Sequence, residues 1–188
     1  MDITSYLLGK NAGGGSSGLD WSAVGYTVAP QTIIKAYNKA VQIKNNWTPT
    51  SRLYNDDEVI IAPVVDTSTN TAWGYFAGSC DNLLEIPLLD SSNVTSMDHA
   101  FYSCSSLTTI PIFDTSKVTS FSSAFEYTPK LSDASLNNIL QMCINATSYN
   151  KTKTLYQVGL RKTNYPVARI EALPHYQDFI DAGWTIGY

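Results

Sequence analysis

The sequence predicts an α/β solenoid, a chain wound in 24-residue coils that each contribute one short parallel strand. The first observation is a six-residue pattern, LxxhxL with h apolar, beginning at Val59, Leu83, Leu107, Leu131 and Leu155, each 24 residues after the last. The second is that unrelated columns keep the same spacing: Pro63, Pro87 and Pro111; Asp66, Asp90 and Asp114; Trp73, Met97 and Phe121; Cys80 and Cys104. Independent columns stay in step only when the repeat is structural. The third is composition: 44% of the 188 residues are hydrophobic, enough for a core, but only 15% are charged, against about 25% in ordinary globular chains. Such a surface is built from Ser, Thr, Asn and Tyr.

The coil pattern comes first. Val59-Ile-Ile-Ala62-Pro-Val64, Leu83-Leu-Glu-Ile86-Pro-Leu88 and Leu107-Thr-Thr-Ile110-Pro-Ile112 are the closest matches. Leu131-Ser-Asp-Ala134-Ser-Leu136 and Leu155-Tyr-Gln-Val158-Gly-Leu160 continue them. Phe179-Ile-Asp-Ala182-Gly-Trp184 keeps the spacing with a poorer fit, and its strand is alternatively Trp184-Thr-Ile186. Positions 1, 4 and 6 are expected to point inward and positions 3 and 5 outward. Proline at position 5 donates no hydrogen bond, so the ladder is expected to be three or four residues wide. Neighbouring strands about 4.8 Å apart make five or six coils a rod of roughly 20–25 Å.

Between strands, Ala100-Phe-Tyr-Ser-Cys104-Ser-Ser-Leu107 and Ala124-Phe125 read as short helical turns. Asn93-Val-Thr-Ser-Met97 and Lys117-Val-Thr-Ser-Phe121 read as a second extended segment of each coil.

Val-Thr-Ser-Met-x-x-Ala-Phe-x-x-Cys-x-x-Leu-x-x-Ile-Pro over 94–111, with Asp114-Thr-Ser, resembles the BspA-like, Treponema-type leucine-rich repeats. The resemblance is specific over about 59–136. It implies a non-enzymatic role in binding or structure, of the kind carried by phage, prophage and bacterial surface proteins. Thr128 stands where the pattern has Cys, and the later units lack Ala-Phe-x-x-Cys, so they are expected to form an adapted cap.

The domain organisation follows. Residues 1–20 form a Gly-rich tethered peptide; 21–58 form an N-terminal capping region; 59–136 hold the repeat; 137–188 hold a C-terminal helix and capping coils. Within the cap, 31–46 reads as an amphipathic helix with Ile33, Ile34, Tyr37, Ala40 and Val41 on one stripe and Pro30 at its start. It would cover the first coil's open edge. A second helix, 136–146, carries Leu136, Ile139, Leu140 and Cys143 on one face.

Gly13–Gly18 is a flexible linker by composition, joining Ile3, Tyr6, Leu7 and Leu8 to the body. Those four are the candidate assembly anchor, toward a virion component or a second copy of the chain. The opening Met-Asp-Ile-x-x-Tyr-Leu-Leu-Gly-Lys before a glycine run resembles the start of gut phage and prophage structural proteins.

No Lys or Arg lies between Arg52 and Lys117, whereas nine carboxylates do, so nothing there replaces counterions on a nucleic acid. His99 and His175 belong to no ligand-spaced cluster, so neither a metal nor another cofactor is expected. Cys80, Cys104 and Cys143 are too few for a disulfide framework; Cys80 and Cys104 read as buried small hydrophobes. The Asp66/Asp90/Asp114 column reads as turn capping before Thr-Ser or Ser-Ser. No signal peptide and no membrane span is expected, so three Asn-x-Thr sequons read as coincidental.

The candidate binding face combines position 3 (Glu85, Thr109, Asp133, Gln157) with Tyr75, Tyr102 and Tyr127 of the intervening turns. Rigid aromatics among adaptable hydrogen-bonding groups suit a glycan or a host protein. The expectation is a non-enzymatic virion appendage assembled in the host cytoplasm. The alternative is a bacterial cell-surface or secreted adhesin.

Overall fold

Backbone hydrogen bonds join stretches of chain 24 residues apart in the computed structural model, which describes residues 53–55, 62 and 67–188. Two ladders carry the stacking. In the first, Ala72, Ser96 and Ser120 form successive parallel bridges. Its N–H groups donate from one rung to the next: Met97 to Ser120, His99 to Ser122, Phe101 to Ala124 and Ser103 to Glu126, at 2.8–3.0 Å. Trp73, Tyr75, Ala77 and Ser79 do the same one rung earlier. The second ladder is narrow, pairing Glu85 with Thr109, with Ile86 N–H on the Thr109 carbonyl.

Inside the rungs lies a single apolar cluster. Leu83, Leu107 and Leu131 are buried in it, with Met97, Phe121 and the ring stack Phe113–Phe101–Phe125. Trp73 packs against Phe76 and edge-on against Phe113.

The sixth position departs from expectation. Leu88 is 66% and Ile112 42% exposed, while the next residues, Leu89 and Phe113, are buried. Inward residues therefore recur every third place: Leu83, Ile86, Leu89, and Leu107, Ile110, Phe113. Alternation needs several consecutive residues of paired strand. Here one bridged residue is followed two places on by Pro87 or Pro111, and the three-residue recurrence is that of the polyproline-type backbone proline favours.

The segments expected to be helical turns are β-turns. Tyr75, Ser79, His99, Ser103, Ser123 and Tyr127 all have φ of +52° to +59°, two positions per rung in step with the repeat. A left-handed residue every four positions stops helix propagation, because each helical residue needs a negative φ.

Beyond Lys130 the stacking changes. The expected fourth strand is the start of helix α1, Asp133–Asn145, with Ala134 exposed and Ser135 buried. The Ser132 side chain caps it and Asp133 sits in its first turn, where a carboxylate favours the helix dipole. Leu136, Ile139, Leu140 and Cys143 face the core, joined by Met142. The fifth unit is also helical: α2, Leu155–Val158, is one turn, capped by Thr154 and closed by Gly159. Helices α3 (Val167–Glu171) and α4 (Tyr176–Asp181) follow. Phe179 of the expected sixth unit is thus helical, and it is Thr185 that bridges in parallel to Thr154.

These segments close the open edges. Ser123 N–H donates to the Gln157 carbonyl at 2.8 Å and Phe125 N–H to Val158 at 2.9 Å, so α2 ends the first ladder. Gly159 is required there: its φ is +100°, and an added Cβ would lie 2.5 Å from the Glu126 nitrogen. Helix α1 ends the second ladder with side chains. Phe121, Tyr149, Trp184 and Phe179 pack ring against ring in sequence and bind the C-terminal segment to the last rung. The capping helix expected over 31–46 and the anchor residues Ile3, Tyr6, Leu7 and Leu8 lie outside the described residues.

Candidate aromatic recognition surface

The turns of the first ladder line up their aromatic side chains. Tyr54 meets Tyr75 edge-on at 5.5 Å between ring centroids. Tyr75 stacks on His99 at 4.7 Å with the planes 11° apart. His99 lies 5.5 Å from Tyr102, and Tyr102 meets Tyr127 edge-on at 5.4 Å. The row is solvent-facing: Tyr54 is 53%, Tyr75 36% and Tyr127 54% exposed.

Backbone geometry places these rings. Tyr75, His99 and Ser123 share one left-handed turn position, 24 residues apart, so their side chains leave successive rungs in one direction. Tyr54, Gly78 and Tyr102 share another column. Gly78 has no side chain to compete: a Cβ would come within 3.0 Å of the Tyr75 ring and 3.3 Å of the Tyr54 ring.

A polar scaffold supports the row from the last rung. Ser122 N–H donates to the Asp98 carboxylate at 2.7 Å, and so does the Ser120 hydroxyl. Glu126 pairs with Arg161 at 2.6 Å. Burial opposes ionisation of Glu126, but the Ser123 hydroxyl and the Arg161 guanidinium outweigh it and lower its pKa. Arg161 also lies over the Tyr156 ring, 3.9 Å from its centroid.

The candidate residues do not form one face. Tyr75, Tyr102 and Tyr127 come together on the first ladder's turns, and Gln157 caps that same ladder's edge. Glu85 and Thr109 sit side by side on the second ladder. Glu85 is half-buried, which raises its carboxyl pKa by desolvation. Asp133 leaves the column altogether, because its unit is a helix start, and pairs with Arg169 at 2.7 Å. The expected position-3 surface therefore ends after two residues. Tyr54 and His99 are members of the row that sequence reading missed. His99 was findable, standing one repeat after Tyr75.

The other polar columns act within the scaffold. Asp90 and Asp114 accept from the N–H groups of Ser92 and Ser116, closing Asx turns, and these N–H and hydroxyl contacts of Ser116 lower the pKa of Asp114. Cys80 and Cys104 are buried, each thiol donating to a carbonyl 27 residues earlier, Leu53 and Ala77. Burial pushes Cys104 up to about 12, suppressing the reactive thiolate. Among the described residues, no group of three or more His, Cys, Asp or Glu is placed to hold a metal ion.

The chain matches no family model, no curated protein and no solved structure. Among the described residues, no helix is long and apolar enough to cross a membrane.

Proposed function

We propose that the protein is a non-enzymatic recognition module, a leucine-rich-repeat solenoid of the BspA-like type whose repeat aligns an aromatic binding row. The observation that carries this reading is the row from Tyr54 through Tyr75, His99 and Tyr102 to Tyr127. Exposed tyrosines offer large contact area at low cost in side-chain entropy, and each keeps a hydroxyl for hydrogen bonding. A folding core needs none of them at the surface. The rungs beneath are tied by repeated hydrogen bonds, so the rings are held ready before a partner arrives, which limits the ordering cost of binding.

The setting proposed is a phage particle, with 1–20 as attachment peptide and the solenoid turned toward a host surface protein or glycan. The resemblance of the opening residues to gut phage structural proteins supports this setting. Fluorescently labelled full-length protein, applied to a panel of gut bacterial isolates and read by cytometry, tests it. Labelling of a subset is expected, with at least a tenfold loss for the Tyr75→Ser/Tyr102→Ser/Tyr127→Ser variant. Labelling that survives this variant, or no labelling of any isolate, contradicts the reading.

A further inference from the structure

A cleft of about 610 Å³ opens where the last rung of the first ladder meets the C-terminal segment. Six of its wall residues are polar: Ser120, Ser122, Asn150, Lys151, Thr152 and Gln157. Tyr149 is a further wall residue, its ring held between Phe121 and Trp184. We propose that this cleft is a saccharide subsite, which takes the terminal sugar of a glycan whose following units lie along the aromatic row. The proposal rests on the recognition-module reading and names its ligand class.

The lining selects the ligand. Sites for apolar molecules are walled mainly by hydrophobic and aromatic side chains with a few polar groups. Here the proportions are reversed, and the polar groups are short, mostly uncharged donors and acceptors. A sugar presents the matching inventory, several hydroxyls that each donate and accept. A phosphorylated ligand would need a cradle of cations or converging N–H groups, and the cleft holds one Lys.

The cleft is built, and backbone hydrogen bonds tie its walls to the segments that carry the row. Asp98 fixes two of its wall residues, accepting from the Ser120 hydroxyl and the Ser122 N–H. Ser122 in turn accepts from the N–H of His99, a member of the row, at 2.9 Å. On the opposite side, Gln157 is pinned through its carbonyl to Ser123, next in the turn column after Tyr75 and His99. Its side chain is left free to hydrogen-bond from an exposed position. One rung, Ser120–Ser123, thus belongs to both surfaces.

Saturation-transfer and chemical-shift NMR on the full chain tests this, with chitotriose, maltotriose and 3′-sialyllactose as probes. Binding of at least one is expected, with shifts at Ser122, Thr152 and Gln157 and at least a tenfold weaker affinity for Gln157→Ala/Thr152→Ala. These side chains are exposed, so the variant keeps the fold, which its unchanged amide spectrum elsewhere verifies. Lys151→Met should weaken only the sialylated probe. Saccharide binding that shifts Tyr75 and Tyr102 but not Ser122 or Gln157 overturns the cleft and leaves the row reading intact. No binding of any of the three overturns the saccharide assignment, and cell labelling that still depends on the tyrosines then points to a protein partner.

Discussion

The N–H of Ile110 donates to the Ser135 hydroxyl at 3.0 Å, in the place where, one rung earlier, Ile86 N–H donates to the Thr109 carbonyl. A side chain of α1 thereby replaces the missing strand. The same hydroxyl donates to the Thr108 carbonyl at 2.8 Å and accepts from Ser132, using its full hydrogen-bonding capacity. Asn138 completes the closure on the Ile110 carbonyl. Ser135→Ala should cost about 1–3 kcal/mol in urea unfolding, because it orphans a buried N–H. Asp133→Ala, an exposed change on the same helix, should cost less than about 1 kcal/mol.

Closure of the first ladder depends on the absence of a side chain at Gly159. Gly159→Ala must accommodate a positive φ and a carbon against the Glu126 backbone. A loss of at least about 2 kcal/mol is expected, read as a lower midpoint in chemical denaturation. Amide exchange should quicken first at Ser123 and Phe125, whose N–H groups depend on α2.

Three small hydroxyl residues, Thr67, Ser91 and Thr115, occupy one buried column. Thr67 donates to Asp90 and Thr115 to Met142, both at 2.6 Å, whereas the Ser91 hydroxyl is buried without a partner among the described residues. Ser91→Ala should therefore change stability by no more than about 0.5 kcal/mol, and Thr115→Val should cost about 1–2 kcal/mol. Paired unfolding curves check the contrast.

Cys104 gives a pH dependence with a definite sign. Burial raises the folded thiol from 9.0 to about 12. The folded state thus holds its proton more tightly than the unfolded state. Its contribution is fully present below pH 9 and is lost progressively as pH rises from 9 toward 12. Cys104→Ala should show a shallower fall in stability across that window. At pH 8, Cys104 should react with iodoacetamide only as fast as the protein opens.

What the sequence revealed was spacing; what it hid was direction. The 24-residue recurrence is a property of the letters, and the bridges Ala72–Ser96 and Ser96–Ser120 reproduce its step. Leu88 and Ile112 look like core residues in the pattern because hydrophobicity carries no information on backbone twist. Only the narrow Glu85–Thr109 pairing, cut short by proline, turns them outward. Leu131 and Leu155 keep the spacing while their segments become helical, since apolar residues three and four apart suit a helix face equally well. Three tyrosines of the row were legible from their turn positions. His99 was findable one repeat after Tyr75, whereas the polar cleft draws its walls from three separate segments, which no local pattern joins.

Solution NMR distances between rungs test the central claim, that residues 23 to 25 places apart stand side by side and so assemble the aromatic row. The account predicts cross-peaks between the rings of Tyr75 and His99 and of Tyr102 and Tyr127, together with contacts from the amide of Met97 to Ser120 and of Phe101 to Ala124. Cross-peaks joining these residues to partners at another spacing, with the ring contacts missing, would contradict it.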